Sequence, residues 1–283
     1  MRAPSDNRQS SMQHSLVRVG AVSYLNSRPL VAGLEAHAGR FAVRYDLPSA
    51  CARLLHSRQI DIGLIPSIEY VRGDEYLMVP DCAVVSDGAV RSVAIFSTVP
   101  IERVTSLALD TSSRTSVALT RVLADKHFGI RPRLLDARPD LEEMVRIADA
   151  ALLIGDPALF ADEVALGLLK IDLGTAWREF TGLPFVYACW TGYRDALTPF
   201  DVRLLQEARA AGAASLDQVA ARFFPGDPAS AAVGAAYLRE NIRFRLGPRE
   251  VQGMARFFAL AAEVGVVPRA QPLRWYPSPD DAS

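Results

Sequence analysis

Leu107-Ala108-Leu109-Asp110-Thr111-Ser112-Ser113-Arg114-Thr115-Ser116 passes from strand to polar turn to helix start within a few residues. The apolar triplet reads as a short buried strand, and Val117–His127 carries on as a helix. Upstream, Leu16–Tyr24, Phe41–Asp46, Ile60–Ile65 and Ser92–Ser97 read as further strands, rich in Val and Ile. Helical stretches separate them at Pro29–Leu34, with Asn26 or Ser27 placed to cap, and at Pro48–Ser57. Downstream, strands at Arg133–Leu135, Ala150–Ile154 and Phe185–Trp190 alternate with helices at Leu141–Ile147 and Ala158–Leu168. From Pro199 the chain is helical: Asp201–Ala211, Ser215–Phe223, Ala229–Glu240 and Arg249–Val264.

Alternation of this kind implies an α/β fold with mostly parallel sheets flanked by helices, and short strands poor in polar residues imply sheets covered on both faces. A helical return after two such units predicts two lobes with a ligand cleft between them. The expected division is residues 16–97 plus 195–283 for the first lobe and 98–194 for the second. No internal repeat is visible. Residues 1–15 are polar, lack the apolar core of a secretory signal, and are expected to be disordered.

Composition narrows the function. Half of the 283 residues are apolar, 22% are charged, and the formal net charge is −1. No basic stripe points to nucleic acid, and no apolar run approaches the ~18–20 residues of a membrane helix. Cys51, Cys82 and Cys189 are odd in number and far apart, which argues against disulfides or a zinc site and for reduced thiols in a cytoplasmic protein. No metal-ligand motif, dinucleotide fingerprint or phosphate loop is present, so neither metal nor cofactor is expected.

In open α/β sheets, ligands bind beyond the carboxyl ends of strands. Candidate site residues there are Ser23 and Asn26 after the first strand, Ser67 after Pro66, and Gly155 and Asp156 after Ile154. Ser92 opens a strand near the crossing between lobes. The run Thr111, Ser112, Ser113, Arg114, Thr115 and Ser116 is the most informative. A helix start offers free N–H groups and the positive end of its dipole, so hydroxyls gathered there suit a carboxylate or phosphate. One cap needs only one such side chain. Asp156, before Pro157, reads most simply as a cap for its own helix. None of His14, His37, His56 and His127 lies at a strand end, so nucleophilic triads lack a base. On these residues alone the chain is a two-lobed anion-binding protein, enzyme or receptor.

Several motifs resemble the menaquinone-biosynthetic chorismate dehydratases: Tyr24-Leu25-Asn26 with Pro29-Leu30, Asp61-Ile62-Gly63-Leu64-Ile65-Pro66-Ser67, Asp110–Ser116, Leu153-Ile154-Gly155-Asp156-Pro157, and Asp172-Leu173-Gly174-Thr175-Ala176-Trp177 running on to Trp190. They keep the order and spacing of that family from Val17 to about Gly247. The resemblance implies a periplasmic-binding-protein type II fold and the loss of water from chorismate to give 3-[(1-carboxyvinyl)oxy]benzoate. It places Asn26 and Ser92 beside the substrate as catalytic residues. Asn26 would bond the reacting region, while Ser92 and the Thr111–Ser116 helix start would hold carboxylate. The enolpyruvyl carboxylate of the substrate would take the proton. The alternatives are 1,4-dihydroxy-6-naphthoate synthase, which shares the fold and is expected to use a cleft histidine, and a non-catalytic binding protein for a small acid.

Overall fold

Runs of apolar residues build two five-stranded sheets in a computed structural model that describes residues 16–73 and 75–278. The expected N-terminal disorder concerns residues 1–15, which lie outside the described residues. In chain order the first part comprises β1 (Val17–Val22), α1 (Arg28–Val31), β2 (Phe41–Asp46), α2 (Pro48–His56), β3 (Ile62–Pro66) and β4 (Tyr76–Ser86). The second comprises β5 (Val93–Ser97), β6 (Ser106–Asp110), α3 (Arg114–Leu123), β7 (Arg133–Ala137), α4 (Leu141–Ile147), β8 (Ala150–Ile154), α5 (Gly155–Leu159), β9 (Leu169–Asp172) and α6 (Leu173–Thr181). Then follow β10 (Phe185–Tyr193), α7 (Pro199–Ala213), α8 (Leu216–Phe223), α9 (Pro228–Glu240) and α10 (Pro248–Glu263).

The first sheet has the order β2-β1-β3-β10-β4 and the second β7-β6-β8-β5-β9. β1 pairs parallel with β2 and β3, as β6 does with β7 and β8. β10 and β5 instead pair antiparallel with both of their neighbours. The α/β architecture with flanking helices is as expected, but the sheets are mixed rather than mostly parallel. The crossings explain the difference: the chain leaves the first sheet after β4 and enters the second as β5, then returns as β10, each time against the local strand direction. The division at 97/98 and 194/195 is therefore displaced by one strand at each crossing, with β5 in the second sheet and β10 in the first. Every residue of β3, β5 and β8 is buried, as central strands covered on both faces require.

Four elements differ from the sequence reading, which gave neither the strand β9 nor the helix α6. β4 is a full strand although Pro80-Asp81 interrupts it with Asp81 at φ 58°. Its edge position tolerates a proline that a central strand would not. The helix expected over 158–168 ends at Leu159, and the chain turns through Asp162, whose carboxylate accepts from Ala165 N at 2.9 Å, to Gly167 at φ 63°. One cluster of buried side chains runs through both sheets and the C-terminal helices, so the halves share a core.

Candidate functional site

Residues following β1, β6 and β8 meet Leu64 and Pro66 of β3 at the seam between the sheets and line one pocket with Tyr187 and Ala188 of β10. It is the place where the strand-end rule puts a ligand. A roomier hollow of about 410 Å³ lies at the opposite end of β1, but its charges are partly spent on each other, as in Arg18–Asp61 at 2.6 Å. The seam pocket encloses about 40 Å³, space for one or two waters. Among the described residues no charged side chain lines it. Its polar character comes from Asn26, Ser27, Ser113, Ser116, Tyr24 and Tyr187, and from the starts of α2 at Pro48 and α3 after Ser113. Helix starts supply unpaired N–H groups and positive dipole ends without a formal cation.

Four of the expected residues, Asn26, Ser113, Ser116 and Gly155, line the pocket. Ser113 caps α3: its Oγ accepts from Ser116 N at 3.4 Å and lies 3.1 Å from Ser116 Oγ. Positions three apart share a helix face, which is why this pair faces the pocket while its neighbours do not. Thr111 is exposed. Ser112 is turned to the Tyr24 hydroxyl at 3.3 Å, and Arg114 donates to buried Glu69 at 2.7 Å. Thr115 Oγ1 lies 3.4 Å from Ser67 Oγ and accepts from Ile68 N at 3.2 Å. The hydroxyl run thus divides between pocket and seam, and only part of it is placed to meet a ligand.

The remaining expected residues sit around the pocket. Ser23 is half-buried, and its carbonyl accepts from Arg28 at 3.0 Å. Ser27 makes no cap, because its hydroxyl donates to Val22 O and Tyr24 O. The Leu25 N–H at the head of the three-residue 3-10 turn is instead accepted by Asp156 Oδ1 at 3.1 Å, from the other sheet. Asp156 therefore caps a distant helix start, not its own. Burial pushes its carboxyl up to about 6, against the lowering pull of the Leu25 amide and Arg28. Gly155 has φ 69°, and a Cβ there would lie 2.7 Å from the Tyr24 ring, so only glycine fits. Asp110, fully buried beside them, accepts from Ser112 N through Oδ1 while Oδ2 has no partner, and burial raises its pKa.

Ser92 does not reach the pocket. It is 1% exposed, and its Oγ lies 2.6 Å from the hydroxyl of Tyr237 on α9. Tyr24, Tyr187 and Tyr237 were not singled out from sequence. Tyr24 stood in the strand-end motif Tyr24-Leu25-Asn26 without being named as a site residue, Tyr187 lay within a strand, and Tyr237 sits in a helix far along the chain. Burial raises all three phenols, that of Tyr24 to about 12. His56 is held between Glu69 Oε2 at 2.9 Å and Tyr76 Oη at 2.8 Å, and His127 packs on Phe128 and Phe180, so neither lines the pocket.

The family described as menaquinone biosynthesis matches residues 17–263. Chorismate dehydratase of Thermus thermophilus is 33% identical over 219 residues, covering 71% of this chain and 79% of that protein. Chorismate dehydratase of Campylobacter jejuni is 34% identical over 167 residues, covering 58% of each. Among solved structures, protein AF1704 from Archaeoglobus fulgidus superposes with a TM-score of 0.73 at 16% identity, covering 90% of this chain and all of that one. The periplasmic aliphatic sulphonate binding protein SsuA from Escherichia coli gives a TM-score of 0.63 at 15% identity, with 93% and 94% covered. The structural likenesses are those of fold, the periplasmic-binding-protein architecture. The sequence match runs through both sheets and every residue of the seam pocket, and the chain belongs to the menaquinone biosynthesis family.

Proposed function

We propose that this chain dehydrates chorismate to 3-[(1-carboxyvinyl)oxy]benzoate, with the seam pocket as its active site. The observation that carries the reading is that the family match contains every residue lining the pocket, and the relatives that the chain resembles are chorismate dehydratases.

Chorismate carries two carboxylates, and the proton at ring C3 is vinylogous to one of them. Its loss sends an electron pair through the ring toward that carboxylate, and expulsion of hydroxide from C4 completes an aromatic ring. Proton and hydroxide leave together as water. The protein's part is to orient the dianion and stabilise the charge that develops. Asn26 is the pocket donor for the reacting region. The start of α3, with Ser113 and Ser116, holds a carboxylate. No carboxylate or imidazole lines the pocket among the described residues, which supports the enolpyruvyl carboxylate of the substrate as proton acceptor. Ser92, buried against Tyr237, stands outside the pocket lining. A pocket of about 40 Å³ is far below the ~300–1,000 Å³ of small-molecule sites. Substrate entry therefore requires the halves to part, breaking contacts such as Asp156–Leu25 and Ser67–Thr115.

Three buried free cysteines, Cys51, Cys82 and Cys189, support a cytoplasmic setting. The sister activity, 1,4-dihydroxy-6-naphthoate synthase, is disfavoured because no histidine lines the pocket among the described residues.

The test is to incubate purified protein with chorismate alone and to follow products by chromatography and mass. A product lighter by one water that keeps the carboxyvinyl group is expected. Unchanged chorismate with folded protein would overturn the proposal.

A further inference from the structure

Glu69 is fully buried, and its carboxylate meets Arg72, His56 and Arg114. It stands in the 3-10 turn Ser67–Arg72 that follows β3 of the first sheet. Arg72, in the same turn, donates to Oε1 at 2.7 Å, and His56, the last residue of α2, lies 2.9 Å from Oε2. Tyr76 Oη of β4 backs the imidazole at 2.8 Å from Nδ1. Arg114 comes from elsewhere. It is the first residue of α3, after β6 of the second sheet, and its Nη1 donates to Oε2 at 2.7 Å.

A buried carboxylate left without partners is strongly unfavourable. Arg72 and His56 supply partners from beside the first sheet, so the bond to Arg114 can break without stranding Glu69. The Arg114 side chain is 33% exposed and would pass to water. The bond sits in a row of contacts across the seam. Thr115 Oγ1 takes the Ile68 N–H at 3.2 Å, Ser112 O takes the Ser49 N–H of α2 at 2.9 Å, and Asp156 takes the Leu25 N–H at 3.1 Å. The pair Lys126–Glu263 at 3.4 Å, between the far end of α3 and α10, is partly exposed on both sides and holds weakly.

We propose that Arg114–Glu69 is a latch across the seam that sets how often the pocket opens. Arg114 acts through Glu69 and does not touch substrate. This gives a role to the one charged residue of the Thr111–Ser116 run, which is absent from the pocket lining. The latch is closed before substrate enters and closes again over it, so it governs the rates of binding and release and not the affinity. Only the binding arm of the test rests on the dehydratase reading.

The first arm follows amide hydrogen exchange in the full chain without ligand. The Leu25, Ser49 and Ile68 amides each donate across the seam and report its opening. In Arg114→Gln all three should exchange about threefold to tenfold faster, as loss of a charge-assisted bond with one partly exposed partner implies, while amides within β1 keep wild-type rates. Arg114→Lys keeps the charge and should recover most of the protection. Faster exchange at Ile68 alone would make the pair a local brace, and unchanged rates at all three would remove the latch; either result overturns the proposal.

The second arm measures chorismate binding by stopped flow in the inactive Asn26→Ala background. Adding Arg114→Gln should raise association and dissociation rates together, about threefold to tenfold, with Kd within about twofold. A Kd that weakens through dissociation alone would mean that Arg114 holds the substrate itself, which overturns the latch. If the three amides respond as expected while chorismate neither binds nor reacts with wild type, the latch stands and the dehydratase reading fails.

Discussion

After β1 the chain enters the 3-10 turn Leu25–Ser27 and the four-residue α1, whereas after β6, the strand in the same place of the second sheet, it enters the ten-residue α3. Both ends open onto one pocket, yet they offer different chemistry. The first presents a single amide, Asn26, at the pocket wall. The second presents a capped helix start with two hydroxyls on one face, Ser113 and Ser116. A short turn with one oriented donor suits the atoms that react, where geometry governs rate. A helix start suits an anion that only has to be held. On the proposed reading, one strand order, used twice, separates catalysis from binding.

The most severe way to break this comparison is Asn26→Ala. Loss of the oriented donor is expected to lower kcat about 10²–10³-fold with the thermal melt unchanged. A melt that falls with the rate would make Asn26 a structural residue. Gly155→Ala attacks the seam where both ends meet. The methyl would stand 2.7 Å from the Tyr24 ring at φ 69°, and urea unfolding is expected to register a loss of about 2–3 kcal/mol.

Asp156→Asn sharpens the comparison by removing a charge that the second half lends to the first. In the folded chain this carboxyl holds its proton up to about pH 6, in the unfolded chain to about pH 4. The folded state therefore binds more protons between these values, and stability falls as pH rises through the window. Asparagine keeps an oxygen for Leu25 N and does not titrate. The variant should show a flatter stability profile from about pH 4 to 6 and exceed wild type above it by on the order of 2–3 kcal/mol. An unchanged slope would show that Asp156 is not the group responsible. The smallest effect is expected for Thr111→Ala, which should leave kcat and KM alike, because Thr111 is exposed.

Much of this was legible because β1, β3, β6 and β8 are largely apolar runs followed by polar residues, so the strand ends point to the site. Asn26, Ser113, Ser116 and Gly155 follow from that rule alone. Pairing direction was not legible: the residues of β5 and β10 read as buried strands whichever way they run, and only the two crossings decide it. β4 was hidden by Pro80-Asp81, a break in sequence that an edge strand absorbs. The division of the Thr111–Ser116 run depends on where the helix begins, since a one-residue change in the cap would turn different hydroxyls to the pocket. Tyr237 was hidden because its partner stands 145 residues away, and no local pattern marks a tyrosine that bonds across the molecule.

The division of labour between the two strand ends is tested most directly by binding. Chorismate is titrated into the inactive Asn26→Ala variant and into the same variant carrying Ser113→Ala and Ser116→Ala as well. The first should bind with an affinity within a few fold of the wild-type KM, and the second about tenfold more weakly, as loss of one or two hydrogen bonds to a charged group implies. Equal affinities would contradict the assignment of anion holding to the start of α3, and with it the separation of the two ends.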